Sequence, residues 1–215
     1  MTDLKPHIGV LAIQGDYERH AAALEEAGAQ PSLIKTPEEL SPASPSHGQL
    51  LDGLILPGGE STTMLNFLNR NHFFDTLKGF AQQKPVFGTC AGAILLAAEV
   101  RHPAQASLGI LSIAVERNAY GAQRDSAILT LDTTLPGGPL ETVFIRAPRI
   151  VSILEGADPK IEILAQRDGF PVLIRQGRTM AATFHPELSS DRRVHQLFVD
   201  LVKNFKVVAY ASESA

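Results

Sequence analysis

The chain has 215 residues, 44% hydrophobic and 20% charged, with 17 glycines and 14 prolines, the balance of an ordinary globular protein; fibrous and disordered classes are excluded. Nineteen Lys and Arg against 23 Asp and Glu leave a formal charge of -4, so no basic excess exists to neutralise a run of phosphates or an anionic bilayer, and neither nucleic acid nor membrane is expected as a partner. A single cysteine rules out an internal disulfide and suits a reducing compartment.

The N-terminal apolar run is too short for a signal-peptide core, and the longest one elsewhere, Ala91 to Ala98, falls far below the roughly 18 residues of a spanning helix. A cytoplasmic protein is expected, folded as one domain over residues 1–215. His7 to Gln14 reads as a strand buried on both faces, and a helix follows from Asp16 to Ala27, with Asp16 as N-cap and Gly28 as stop. A second strand covers 31–35. Residues 36–49 hold prolines and serines that argue for an irregular surface segment, whose stretch from Ser41 to Gln49 looks like an insertion.

Leu51 to Pro57 reads as a third strand running into Gly58-Gly59, and Glu60 to Gln83 carries helical spacing interrupted near Asn69–Asn71. Residues 85–88 form a fourth strand, and Ala91 to Val100 a helix entered abruptly. This βαβ alternation predicts an α/β fold with a mostly parallel sheet covered on both sides, binding its ligand at the carboxyl ends of the strands. From Leu108 to Glu187 strand-like runs follow one another without long helices, so extra, partly antiparallel strands are expected. The last helix runs from about Ser190 to Phe205 with Val194, Leu197, Phe198, Leu201 and Val202 on one stripe, and the tail beyond it is expected to fray.

Cys90 lies in Gly88-Thr89-Cys90-Ala91-Gly92, between a buried strand and a helix, the pattern of a nucleophile elbow with cysteine in place of serine. A lone cysteine is otherwise commonly a small buried hydrophobe. The elbow favours the nucleophile, because the thiol then stands where unpaired N–H groups and the helix dipole support a thiolate. His185 is the best candidate base of the seven histidines: it ends a strand-like run and precedes Pro186-Glu187. In extended backbone, Glu187 would project to the same side as His185 and fix its tautomer. His20, His72 and His195 read as partly exposed helix histidines, and His47 and His102 as loop residues. No zinc-ligand spacing is present, so no metal is expected.

Pro57-Gly58-Gly59-Glu60-Ser61-Thr62-Thr63 follows the third strand and opens a helix, so its glycines can aim N–H groups at an anion. It lacks the lysine of a phosphate loop, which favours an oxyanion hole over phosphate binding; a plain tight turn with a capped helix is the simpler alternative.

In chain order, Pro57-Gly-Gly-Glu60, Gly88-Thr-Cys-Ala-Gly92 and His185-Pro-Glu187 resemble the motifs of class I (triad) glutamine amidotransferases. Further segments narrow the resemblance: Gly9 to Asp16 with His20, Pro57 to Met64, Arg117 to Gly121 with Gln123, Asp125 and Ser126, Phe144 to Pro148, and Phe184 to Leu188 with Asp191, Arg192 and His195. Over about residues 7 to 205 these resemble the glutaminase-subunit family of pyridoxal 5′-phosphate synthases (the PdxT/SNO family). The resemblance implies a flavodoxin-like amidotransferase fold and L-glutamine as substrate. Cys90 would attack the side-chain amide to give a γ-glutamyl thioester, His185 would shuttle protons, and Glu187 would orient it. The N–H groups of Gly59 and Ala91 would hold the oxyanion with Gln14 in support, and Gly59, Glu60, Ser61, Arg117, Ile145 and Arg146 would line the glutamine site. It further implies no cofactor and a (β/α)8-barrel synthase partner, in a complex of twelve synthase and twelve glutaminase subunits.

The loop at 41–49 and the stretch after Ser126 depart from the family pattern. The alternatives are a triad glutaminase serving another synthase, such as imidazole glycerol phosphate or GMP synthesis, and a non-catalytic binding module or redox sensor.

Overall fold

The computed structural model describes residues 5–40, 50–70, 72–117 and 126–213, with side chains described as far as residue 207. The expected insertion at 41–49 with its His47, Asn71, and the segment Asn118 to Asp125 lie outside the described residues.

In chain order the elements are β1 (His7–Leu11), α1 (Tyr17–Glu26), β2 (Gln30–Ile34), a 3-10 turn at Pro37–Leu40, β3 (Gly53–Leu56), α2 (Ser61–Arg70), α3 (Phe73–Gln83), β4 (Val86–Thr89) and α4 (Ala91–Leu96). The second half adds β5 (Ala97–Arg101), β6 (Leu111–Glu116), β7 (Ser126–Leu131), β8 (Leu140–Ile145), β9 (Arg149–Ile153), β10 (Ile161–Arg167), β11 (Phe170–Gln176), β12 (Thr179–Ala182), a 3-10 turn at Pro186–Leu188, and α5 (Arg193–Glu213). A seven-stranded sheet runs in the order β10-β11-β12-β4-β3-β1-β2. Its five strands from β12 to β2 are mutually parallel, while β11 and β10 extend it antiparallel. The predicted α/β class and the antiparallel additions are both present.

The sheet is buried on both faces because its strands alternate between two cores. Leu54 and Leu56 of β3 join Met64, Leu68, Phe73 and Leu77 of α2 and α3 on one side, while Ile55 between them joins Val10, Phe87 and Phe198 on the other. On that second side Phe87 of β4 meets Phe198 of α5 with ring centroids 5.6 Å apart, within the range of favourable aromatic pairs. The predicted α5 stripe is seated there too: Val194, Phe198 and Val202 are fully buried, and Leu197 and Leu201 pack against the same core.

Helix α1 ends as expected. Gly28 N–H donates to Glu25 O at 3.0 Å and Ala29 N–H to Leu24 O at 2.9 Å, the paired bonds that close a Schellman stop. Asp16 occupies the N-cap position without a side-chain cap hydrogen bond.

Two expectations are corrected. The helix predicted over Ala91 to Val100 ends at Leu96, and Ala97–Arg101 forms β5, paired in parallel with β6 through Val100 opposite Val115. Helical spacing cannot reveal this pairing, which joins residues distant in the chain; Pro103 nearby also holds the residue before it out of helix. The tail expected to fray past Phe205 continues as helix to Glu213.

Candidate active site

Four neighbouring parallel strands, β12, β4, β3 and β1, end at the same edge of the sheet, and each delivers a candidate residue there. Thr89 pairs with Ala182 and Leu56 with Gly88, so Cys90 after β4, His185 after β12 and Gly58-Gly59 after β3 emerge side by side. Gln14 follows β1 on the far side of the glycine loop.

Cys90 makes the sharp strand-to-helix turn that the spacing predicts. Its backbone sits at φ 48° and ψ -105°, a conformation unusual for a residue with a side chain and held here by its N–H bond to Ala182 O at 2.9 Å. The flanking glycines are sterically required. A Cβ on Gly92 would lie 2.0 Å from the Leu56 carbonyl oxygen, and one on Gly88 would lie 2.5 Å from the Gly92 carbonyl.

His185 is fixed at its backbone by an N–H bond to Val143 O of β8 at 2.8 Å, and at its ring by Nδ1 donating to Glu187 Oε1 at 2.7 Å. The predicted His–Glu contact is therefore present, but by another route: Glu187 lies in a 3-10 turn, not in extended backbone. Burial pushes the imidazole pKa down, yet hydrogen bonds to the Cys90 sulfur and Glu187, with the charges of both, outweigh burial and raise it to about 10. Nδ1 being committed to Glu187, Nε2 faces the sulfur. The raised value sets a pH dependence. The stabilisation from charged His185 is complete below its ordinary 6.5 and is lost as pH rises through about 10. The difference in melting temperature between wild type and His185→Asn is expected to narrow from about pH 6 to about pH 11; a difference that widens would contradict the ion pairing.

The Gly58-Gly59-Glu60 loop is gripped from β1. With its amide oriented to satisfy both partners, Gln14 donates to the Glu60 carbonyl at 3.2 Å and accepts from the Glu60 N–H at 2.9 Å. Gly59 has φ 136°, and a Cβ there would strike the Gln14 side chain at 2.9 Å, so the loop and Gln14 fit only through a glycine. The Glu60 carboxylate caps α2, accepting from Thr62 N–H at 3.0 Å and from the Thr63 N–H and hydroxyl at 2.6 and 2.8 Å. Partial burial works against its charge, but these bonds hold its pKa at about 2. Arg117 donates to Glu60 at 3.2 Å and to Thr62 Oγ1 at 2.7 Å, which aims its guanidinium along the cavity wall. Ser61, buried beside them, donates to Gln105 Oε1 at 3.1 Å.

These residues enclose a cavity of about 280 Å³. Cys90 and His185 form its floor, and Gln14, Gly59, Glu60, Ser61, Arg117, Ile145 and Arg146 line it with Ile94 of α4, so nine of the eleven candidates from the sequence meet there. Ala91 is buried immediately behind Cys90, and Glu187 stands behind His185 away from the cavity. Among the described residues no group of His, Cys, Asp and Glu is arranged to hold a metal ion, and no helix is long and apolar enough to cross a membrane.

The expectation for two histidines is corrected. His72 and His102 are exposed, but His20 and His195 are completely buried and meet behind the candidate triad. His20 Nδ1 lies 3.1 Å from His195 Nε2, and His20 Nε2 is 3.2 Å from both Thr89 Oγ1 and Glu187 Oε2. Desolvation, aided by neighbouring positive groups, drives both rings to the neutral form: His20 falls well below its ordinary value, and His195 falls to about 3.

An elbow cysteine facing a His–Glu pair, beside a glycine loop at the carboxyl edge of a mostly parallel sheet, has the form of a triad-type amidotransferase site. The chain belongs to the SNO glutamine amidotransferase family, whose profile matches residues 10–204. It is 52% identical to the pyridoxal 5′-phosphate synthase subunit PdxT of Koribacter versatilis, over 92% of this chain and 96% of the relative. It is 51% identical to the PdxT of Solibacter usitatus, over 89% and 97%. Among solved structures, one described as a glutamine amidotransferase superposes with a TM-score of 0.78 at 39% identity, covering 91% of this chain and 98% of the other.

Proposed function

We propose that this chain is the glutaminase subunit of a pyridoxal 5′-phosphate synthase, hydrolysing L-glutamine to L-glutamate and ammonia and passing the ammonia to a synthase subunit. The observation that carries this reading is the convergence of Cys90, His185–Glu187 and the Gln14-held glycine loop on one cavity, in a chain similar over nine-tenths of its length to subunits of that name.

The chemistry follows from the positions of the groups. The Cys90 thiolate attacks the side-chain carboxamide carbon, and the negative charge that develops on its oxygen is met by backbone N–H groups of Gly59 and Ala91. His185 gives its Nε2 proton to the departing nitrogen as the C–N bond breaks, so ammonia leaves and a γ-glutamyl thioester remains. The neutral imidazole then takes a proton from water, the hydroxide adds to the thioester, and the C–S bond breaks to regenerate the thiolate and release glutamate. Glu187 keeps the proton of His185 on Nδ1 throughout. Arg117 and Arg146 are suited to the α-carboxylate of the substrate and Glu60 to its ammonium group, and these fixed partners select glutamine by reach.

The reading extends to the partner and the setting. Free ammonia in neutral water is mostly ammonium and no nucleophile, so its use calls for delivery inside a protein assembly: here a (β/α)8-barrel synthase, twelve copies of each subunit, in the cytoplasm. The test is glutamine hydrolysis by the purified chain, alone and with a pyridoxal 5′-phosphate synthase subunit. Turnover is expected to rise at least about tenfold on addition, the gain of a completed oxyanion hole. Turnover indifferent to that subunit would remove the partner, and none under either condition would remove the enzyme.

A further inference from the structure

Behind the Cys90–His185–Glu187 line the polar chain continues where an ordinary core would be apolar. The side chains of Glu187 and His20 are both fully buried. Oε1 of Glu187 is used by His185, while Oε2 has His20 Nε2 at 3.2 Å but no well-aligned hydrogen bond among the described residues, because the ring nitrogen points more directly at Thr89 Oγ1. His20 thus touches the residue that precedes the nucleophile and the residue that orients the base. It can do so because α1 packs against both α5 and the Pro186–Leu188 turn.

The proton pattern is determined by what surrounds each ring. A nitrogen between a carboxylate oxygen and a hydroxyl carries its hydrogen, so His20 is the Nε2–H tautomer and its Nδ1 is an acceptor. His195 Nε2 then donates to it at 3.1 Å, and His195 Nδ1 is left as a buried acceptor without a partner among the described residues. A lone pair is less costly to leave unpaired than an N–H group. The charged groups next to His195 are Arg192 and Glu26, themselves paired at 2.6 Å. Two buried imidazoles are an expensive way to fill a core. The cost is understandable if the chain's end at Glu187 matters.

We propose that His20 is a positioning residue of the triad: its Nε2–H, bonded to Thr89 Oγ1 with Glu187 Oε2 3.2 Å away and oriented from behind by His195, holds in place the carboxylate that orients His185. The proposal rests on the glutaminase reading of this site. It makes the apparatus a five-residue relay of orientation, Cys90–His185–Glu187–His20–His195, in which only the first two touch the reacting atoms.

Two substitutions separate the contacts of one ring. Glutamine at 20 places an amide nitrogen where Nε2 stands, whereas asparagine reaches only as far as Nδ1 and keeps the His195 contact alone. With the synthase subunit present, His20→Asn is expected to lose about tenfold to a hundredfold in kcat for glutamine hydrolysis, the usual scale for an outer hydrogen-bond partner, with KM within about twofold. His20→Gln is expected to keep kcat within about threefold of wild type, a rescue that a merely structural role would not give. Wild-type kcat in His20→Asn, a loss falling on KM, or an equal fall in both variants overturns the proposal while leaving the glutaminase reading intact. A wild-type chain without turnover overturns that reading instead. Should His20→Asn not fold, His195→Leu reads the relay one step further out: a drop of about threefold to tenfold in kcat supports it, and full kcat in the folded variant overturns it.

Discussion

Cys90→Ala is expected to bring glutamine hydrolysis to background, a loss on the order of a millionfold in kcat if this nucleophile matters as much as that of a serine triad. The fold should persist. Alanine meets the same backbone strain at φ 48° as cysteine does, and the lost sulfur leaves a gap at the cavity floor and not inside a packed core. Loss of the sulfur that pairs with His185 is expected to lower the melting temperature by no more than about 4 °C, and synthase binding to persist. Measured together, turnover, melting and co-elution with the synthase distinguish an enzyme from a binding module: appreciable turnover in the variant would mean that the thiol is not the nucleophile.

His185→Asn should approach the same loss, because asparagine is too short to bridge the Cys90 sulfur and the Glu187 carboxylate and its amide neither accepts nor releases a proton near neutral pH. Glu187→Gln should cost at least about tenfold less than His185→Asn. The 2.7 Å bond from His185 Nδ1 to Oε1 can be made to an amide oxygen, so orientation survives while the charge is lost. The loss of charge has its own signature. Glu187 is one of two anions that lift His185 to about 10, so the variant should deprotonate its imidazole at lower pH. An NMR titration of the ring tests this, and equal or reversed losses in turnover would exchange the roles assigned to the two residues.

The site was legible where steric demands select unusual residues. Gly88 and Gly92 flank Cys90 because Gly88 lies against the backbone of Gly92 in α4 and Gly92 against the Leu56 carbonyl of β3, and that need is written as Gly-x-Cys-x-Gly. The Pro57-Gly58-Gly59-Glu60 loop could be read for the same reason, and His185-Pro186-Glu187 from its place at the end of a strand-like run. What could not be read depends on partners distant in the chain. Nothing within Ala97–Arg101 reveals β6 waiting beside it, so the local helical spacing misled. The paired histidines lie 175 positions apart, and His20 bonds to His195 only once α1 and α5 are packed together. A signal for their burial did exist: His20, Ala23 and Leu24 share a helical face, as do His195, Phe198 and Val199, and each histidine stands on its helix's apolar stripe. That stripe marks a buried histidine but not what it touches.

The sheet order also fixes when the chain can first become active. β12 is the last strand made, yet it is inserted in the middle of the sheet, between β11 and β4. A chain still emerging from the ribosome has Cys90 long before His185, and the turn carrying Cys90 lacks the Ala182 carbonyl that holds it. On the proposed glutaminase reading, activity comes with closure of the sheet, so a nascent or half-folded chain would spend no glutamine and shed no stray ammonia.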